Sequence, residues 1–255
     1  MKRQLTALAL GTLLLAGTAH GASFSLDGTA LNLGLTAVYD CTTYVSVRTA
    51  AELLLPGANV SWSSGRAVVK VDGFTLTACP GERALTYNGV SLPLSVPIRV
   101  ENHHVLVPVR PLAALLGAEV SWDAATGAVS LSTGIDDDLY WLSHIISAES
   151  QGEPLVGQIA VGNVVLNRVA SSSFPDSIYD VVFDSRWGGQ FEPVSNGTVY
   201  DTPTDECVLA ARLCLAGINT AGESLYFLAP DLTDNHWTME SRTYVTTIGT
   251  HWFYL

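Results

Sequence analysis

The sequence predicts an α+β protein of two units: a small α+β module of two similar strand-helix-strand units, then a mostly helical domain with a small antiparallel sheet. Three observations carry this. Residues 44–71 and 107–131 spell the same order of elements, the alternating apolar pattern of the first half gives way after residue 134 to helical spacing, and residues 225–254 return to short strands.

Taken in order, the chain opens with Lys2 and Arg3, an apolar run from Leu5 to Ala16, and the small-x-small site Ala19-His20-Gly21. This pattern predicts a signal peptide over 1–21, with the mature chain starting near Ala22. The run is shorter than the roughly 20 residues of a spanning helix, so a secreted, extracellular product with no membrane insertion after cleavage is expected. The first repeat copy reads Val45-Ser46-Val47-Arg48, an Ala/Leu-rich helical stretch, Gly57 to Trp62, then a strand at Val68–Val71. The second reads Val107-Pro108-Val109-Arg110, Leu112 to Leu116, Gly117 to Trp122, then Ala128–Leu131. Cys41 and Cys79 either close a disulfide or stay as two thiols; the sequence leaves both open. His103 and His104 are neighbours in a turn and make a poor chelate without a third ligand. A Gly at 134 and acids at 136–138 mark the start of a new helix, which divides the chain into 22–133 and 134–255.

Composition limits the partners. With 24 acids against 12 bases, nucleic acid and anionic lipid are excluded as sequence-independent ligands, and a neutral or mixed-charge substrate fits better. At 48% hydrophobic there is material for two cores.

In the second half, Leu142, Ile145 and Ile146 recur at helical spacing, and the next position on that stripe is Glu149. A carboxyl in a core-facing slot at the negative end of a helix has its pKa raised by desolvation and dipole alike. Glu153 stands at the expected N-cap of the next helix, Pro154 to Val169, where the positive helix end keeps it ionised. Two acids pushed apart in pKa are the mark of acid and base roles, although each also has a purely structural reading. The rest reads as a helix from Pro203 to Gly217 capped by Thr202, then strands near Leu225–Leu228, Tyr244–Ile248 and His251–Tyr254. Cys207 and Cys214, about 10 Å apart by helical rise, read as buried thiols on one face.

The stretch LVPVRPLAALLGAEVSW resembles the copper amine oxidase N-terminal-like domain over roughly 27–133, a module for which no copper binding is implied. Ala148-Glu149-Ser150-Gln151-Gly152-Glu153-Pro154 followed by Gly157-Gln158-Ile159-Ala160-Val161-Gly162-Asn163-Val164-Val165-Leu166-Asn167-Arg168-Val169 resembles the SleB/CwlJ cell wall hydrolase family of spore cortex-lytic enzymes. The likeness runs on through Gln190-Phe191-Glu192-Pro193-Val194 to Ile248-Gly249-Thr250-His251-Trp252-Phe253-Tyr254. It departs at Leu228-Ala229-Pro230 and in a longer loop at Trp187-Gly188-Gly189. The resemblance implies a lysozyme-like catalytic domain that cuts peptidoglycan glycan strands by lytic transglycosylation or muramidase-like hydrolysis, without cofactor or metal, with Glu149 as general acid and base.

For such a substrate, Glu153, Phe191, Tyr226, Trp237 and Arg242 are the expected binding residues: the aromatics as floors for sugar rings, Arg242 for a stem carboxylate or lactam carbonyl. The rival readings are a zinc amidase using His144, His236 and His251, and a non-catalytic wall-binding protein. Whether the N-terminal module holds glycan or a surface partner, or only spaces the enzyme, is open at this level.

Overall fold

A computed structural model describes residues 23–186, 189–232 and 240–255. The expected signal peptide, the mature start at Ala22, and Trp187, His236 and Trp237 lie outside them. Each repeat copy runs strand, helix, hairpin. The first is strand Thr42–Ser46, helix α1 (Val47–Leu54) and the hairpin Asn59–Ser63/Arg66–Val71. The second is strand His104–Pro108, helix α2 (Val109–Leu115) and the hairpin Glu119–Trp122/Val129–Ser132. Ser46 caps α1 by accepting from the Thr49 amide. The two leading strands pair antiparallel with Val45 opposite Val107. These valines are equivalent positions of the two copies, so a local two-fold axis relates the repeats.

An insert between the copies was not foreseen: strands Phe74–Ala78, Ala84–Tyr87 and Val90–Pro93 extend the first hairpin into a five-stranded meander. All four cysteines are free, so Cys41 and Cys79 form no disulfide, while Cys207 and Cys214 are buried as expected. His103 occupies the expected turn, at φ 65°, whereas His104 already begins the following strand and pairs with Glu101.

The second half begins with α3 (Asp137–Ser150), whose N-cap Asp136 accepts from Leu139 N at 2.9 Å. Its apolar stripe Leu139, Leu142, Ile145 and Ile146 is fully buried. Helix α4 (Leu155–Ala170) is buried nearly all round. At Gly162 an added Cβ would lie 2.7 Å from both Cys214 Sγ and Ile146 Cδ1, so only glycine permits this approach of α3, α4 and their neighbour. The short helices α5 (Ile178–Val182) and α6 (Glu192–Asn196) precede α7 (Asp205–Leu215). The cap of α7 is Thr204, which accepts from Cys207 N at 3.2 Å, and not Thr202. Starting there places Asp205 and Glu206 in the first turn, where the helix dipole favours them. A three-stranded antiparallel sheet, Tyr226–Leu228, His251–Tyr254 and Tyr244–Ile248 in spatial order, completes this half.

The halves touch through α2 and α7. Arg212 of α7, with a side chain only 7% exposed, places Nη1 2.8 Å from Glu119 Oε1 and donates from Nη2 to the carbonyls of Thr133 and Gly134. No helix among the described residues is long and apolar enough to cross a membrane.

Candidate active site

Glu149 stands one residue from the end of α3, half-buried. Its pKa is pushed up to about 7, first by burial and then by the negative charge of Glu192, with Arg168 pulling the other way. The direction matches the sequence expectation. The second cause, a neighbouring carboxylate, is one the sequence did not reveal. A carboxyl with this pKa is protonated for a large part of its time near neutrality, as a group that must give up a proton in a reaction requires.

Arg168, on the last turn of α4, is the counterweight. It is 4% exposed, donates from Nε to Leu225 O at 2.8 Å, and lies 5.1 Å from the ring centres of Phe174 and Phe191 and 5.5 Å from that of Tyr226. Its Nη1 is buried without a hydrogen-bond partner. Burial lowers its pKa to about 10, which still leaves it charged at neutral pH. Tyr226 carries a second guanidinium, that of Arg242, 4.2 Å from its ring centre. The fold thus brings Tyr226 and Arg242 together beside Arg168 and, through it, Glu149. Phe191 joins the same group differently: at 4% exposed, wedged between Arg168 and Phe227, it offers no face to a sugar and instead supports the arginine.

Glu153 is not a cap. Pro154 holds the N-cap position of α4 without a side-chain bond. The Glu153 carboxylate reaches across the domain to accept from Thr250 N at 3.0 Å and from Thr250 Oγ1, at the turn between the last two strands. His251 Nδ1 lies 3.7 Å from it, with its pKa lowered by burial against the pull of that carboxylate. Gly249, at φ +59°, lies so close that an added Cβ would fall 1.7 Å from Glu153 Oε2. Glu153 therefore ties the α3–α4 corner to the sheet. His144 is engaged too: its ring stacks on Tyr140 at 4.1 Å, and Nδ1 donates to Val199 O at 2.9 Å. Among the described residues no three His, Cys, Asp or Glu side chains are grouped to hold a metal ion.

Residues 152–254 match the family model described as Cell Wall Hydrolase, and residues 25–131 match that described as Copper amine oxidase N-terminal domain. Residues 152–254 belong to the cell wall hydrolase family. The spore cortex-lytic enzyme of Bacillus cereus is 35% identical over 117 residues, 46% of this chain and 44% of that protein. That of Halalkalibacterium halodurans is 35% identical over 118 residues, 46% of this chain and 34% of its own length. The Bacillus subtilis enzyme is 31% identical over 118 residues, covering 46% and 37%. The chain thus spans less than half the length of these curated relatives. Among solved structures, the catalytic domain of the germination-specific lytic transglycosylase SleB from Bacillus anthracis is 34% identical and covers 48% of this chain and 98% of its own, with a TM-score of 0.43.

The hydrolase match begins at Gly152, so Glu149 lies just ahead of it and is singled out by the geometry of α3. Sequence reasoning did not assign a role to Arg168. The signal was available: an arginine close to the end of a helix that is otherwise apolar nearly all round, a placement that requires burial with specific partners.

Proposed function

We propose that the hydrolase domain cuts the glycan strands of peptidoglycan at a glycosidic bond, with Glu149 as general acid and then general base. The observation that carries this is the Glu149 carboxyl, its pKa raised to about 7 by burial and then by Glu192, with the buried Arg168 opposing the shift. In the first step the Glu149 proton passes to the glycosidic oxygen as the C1–O bond breaks and an oxocarbenium-like centre develops. The resulting carboxylate is stabilised by the Arg168 charge. In the second, Glu149 takes a proton from the attacking hydroxyl. Attack by the sugar's own C6 hydroxyl closes a 1,6-anhydro ring and consumes no water; attack by water leaves a reducing end.

The names of the relatives favour the first route and a spore cortex substrate. Tyr226 and Arg242 serve as binding residues at the edge of the site, Arg242 toward a carbonyl or carboxylate of the muramic acid side. Glu153 fixes the strand turn that bears Thr250, and Glu192 adds to burial in raising the proton affinity of Glu149. The expected leader supports export to the wall or spore compartment. The module over 22–133 acts as a non-catalytic unit, docked through Glu119 and Arg212 on the domain over 134–255. Digestion of purified sacculi and cortex by wild type and Glu149→Gln, with and without a chelator, tests the reading. Loss of saccharide release in the variant and indifference to the chelator are expected. Silencing of the wild type by the chelator and rescue by zinc would favour an amidase instead.

A further inference from the structure

A cluster of exposed and partly exposed aromatic side chains lies outside the site described above. Trp141 stands edge-on to four rings, with centroid distances of 4.9 Å to Tyr140, 5.0 Å to Phe183, 5.3 Å to Tyr179 and 6.2 Å to Tyr200. Tyr179 and Tyr200 lie within 35° of the plane of Phe183. Tyr140, Tyr179 and Tyr200 are 40%, 49% and 59% exposed. Such surface is costly to leave in water, and three tyrosines around one tryptophan exceed what packing of α3 on α5 needs. The arrangement is also fixed: edge-to-face contacts hold the rings around Trp141, and Tyr140 is stacked on His144, itself anchored to the Val199 carbonyl.

Three chain segments join this platform to the active site. Helix α3 carries Glu149 near one end and Trp141 two turns earlier, about 12 Å away by helical rise. The segment that begins with Phe191 and Glu192 runs through α6 to Tyr200. Phe183 is followed by Asp184, whose charge acts on Arg168. The platform and the candidate site therefore share α3 and the segment from Phe191 to Tyr200. Exposed acids stand near it in the chain, Asp137 one turn before Tyr140 and Asp180 next to Tyr179, whereas Asp138 faces Glu119 and Arg212 at the junction of the halves. The charge of Asp137 and Asp180 disfavours anionic polymers. Flat rings edged with hydroxyls, in an acidic setting, suit the C–H faces and hydroxyls of uncharged pyranose rings.

We infer that Tyr179, Tyr200 and Tyr140, buttressed by Trp141 and Phe183, form an outer subsite that binds the N-acetylated glycan strand several sugars away from the point of cleavage. This rests on the glycan-cutting reading for its substrate class. It adds a determinant of polymer affinity that the family's name does not contain.

The test uses the full mature chain carrying Glu149→Gln, so that binding is measured without turnover. Tyr179→Ala and Tyr200→Ala are added singly and together, and binding to purified sacculi is measured with and without soluble N-acetylglucosamine hexamer as competitor. Each ring lost should weaken sacculus binding about two- to tenfold, with the double variant close to the product of the two. The hexamer should compete and should perturb Trp141 fluorescence. In the wild-type background the same changes should raise KM for sacculi by similar factors. Both tyrosines are at the surface, so unchanged melting temperatures are the control for folding. Binding and KM equal to those of the parent, in variants that still fold and still release saccharide, overturn the outer subsite alone. Weakened sacculus binding that the hexamer does not compete for assigns the platform to a protein or peptide and also overturns it. A wild-type enzyme that releases no saccharide from any wall would instead overturn the glycan-cutting reading.

Discussion

Replacing Glu149 by Gln should abolish cutting and, above neutrality, make the protein more stable. The folded state holds the Glu149 proton to a pKa of about 7 against an ordinary 4.5. Between those values the native state keeps a proton that the unfolded chain has lost, so stability falls as pH rises through this window and the loss is complete above about pH 7. At about 1.36 kcal/mol per pH unit the penalty approaches about 3 kcal/mol, an upper figure because the side chain is only partly buried and water screens it. Gln has no proton to lose and keeps nearly the same shape. The variant should therefore melt with the wild type near pH 4.5 and up to roughly 6–12 °C higher near pH 8. Activity should fall at least about 100- to 10,000-fold. Thermal unfolding followed by circular dichroism at the two pH values, with turbidity loss of sacculi as the activity assay, measures both. A melting difference that is equal at both pH values, or a variant less stable than wild type at pH 8, would refute the argument that burial strains this carboxylate.

Four further outcomes are expected. Activity should decline as pH rises through about 7, where Glu149 ionises, and Glu192→Gln should move that limb to lower pH because the Glu192 charge raises the Glu149 pKa; pH–rate profiles of the two proteins check this. Glu153→Gln should destabilise the domain by about 1–3 kcal/mol through the weakened hold on Thr250, with Gly249→Ala acting in the same direction, both read from urea unfolding. Gly162→Ala should cost about 1–3 kcal/mol in the same assay, because its methyl group meets Cys214 and Ile146 in a closed core. The fragment 134–255 should fold and cut, yet melt below the full chain as Arg212 loses Glu119, a loss of roughly 1–3 kcal/mol seen by calorimetry.

What could be read from the sequence follows the range of the interactions involved. The repeat was legible because both copies spell the same strings, and the α3 stripe because Leu142, Ile145, Ile146 and Glu149 lie within two helical turns. The strands between residues 74 and 93 escaped notice although Leu76, Ala78, Leu85 and Leu92 are all buried, because an insert between two matching copies has no counterpart to flag it. The cap of α7 was displaced by two residues because Thr202 and Thr204 flank the same proline, and only backbone geometry selects between them. Glu153 was misread as a local cap because its true partner lies 97 residues away. Phe191 was read as a sugar platform for the same reason: the Arg168 side chain that it supports comes from another helix. Local periodicity reports which face of a helix is buried, but not what meets it there.

The most direct test of the glycan-cutting assignment is mass spectrometry of the products released from purified peptidoglycan by the wild type and by Glu149→Gln. Saccharide fragments with intact peptide stems, ending in 1,6-anhydro or reducing muramic acid, are expected from the wild type, and none from the variant. Free stem peptides released from uncut glycan, or saccharide release by the variant at a near-native rate, would contradict that assignment.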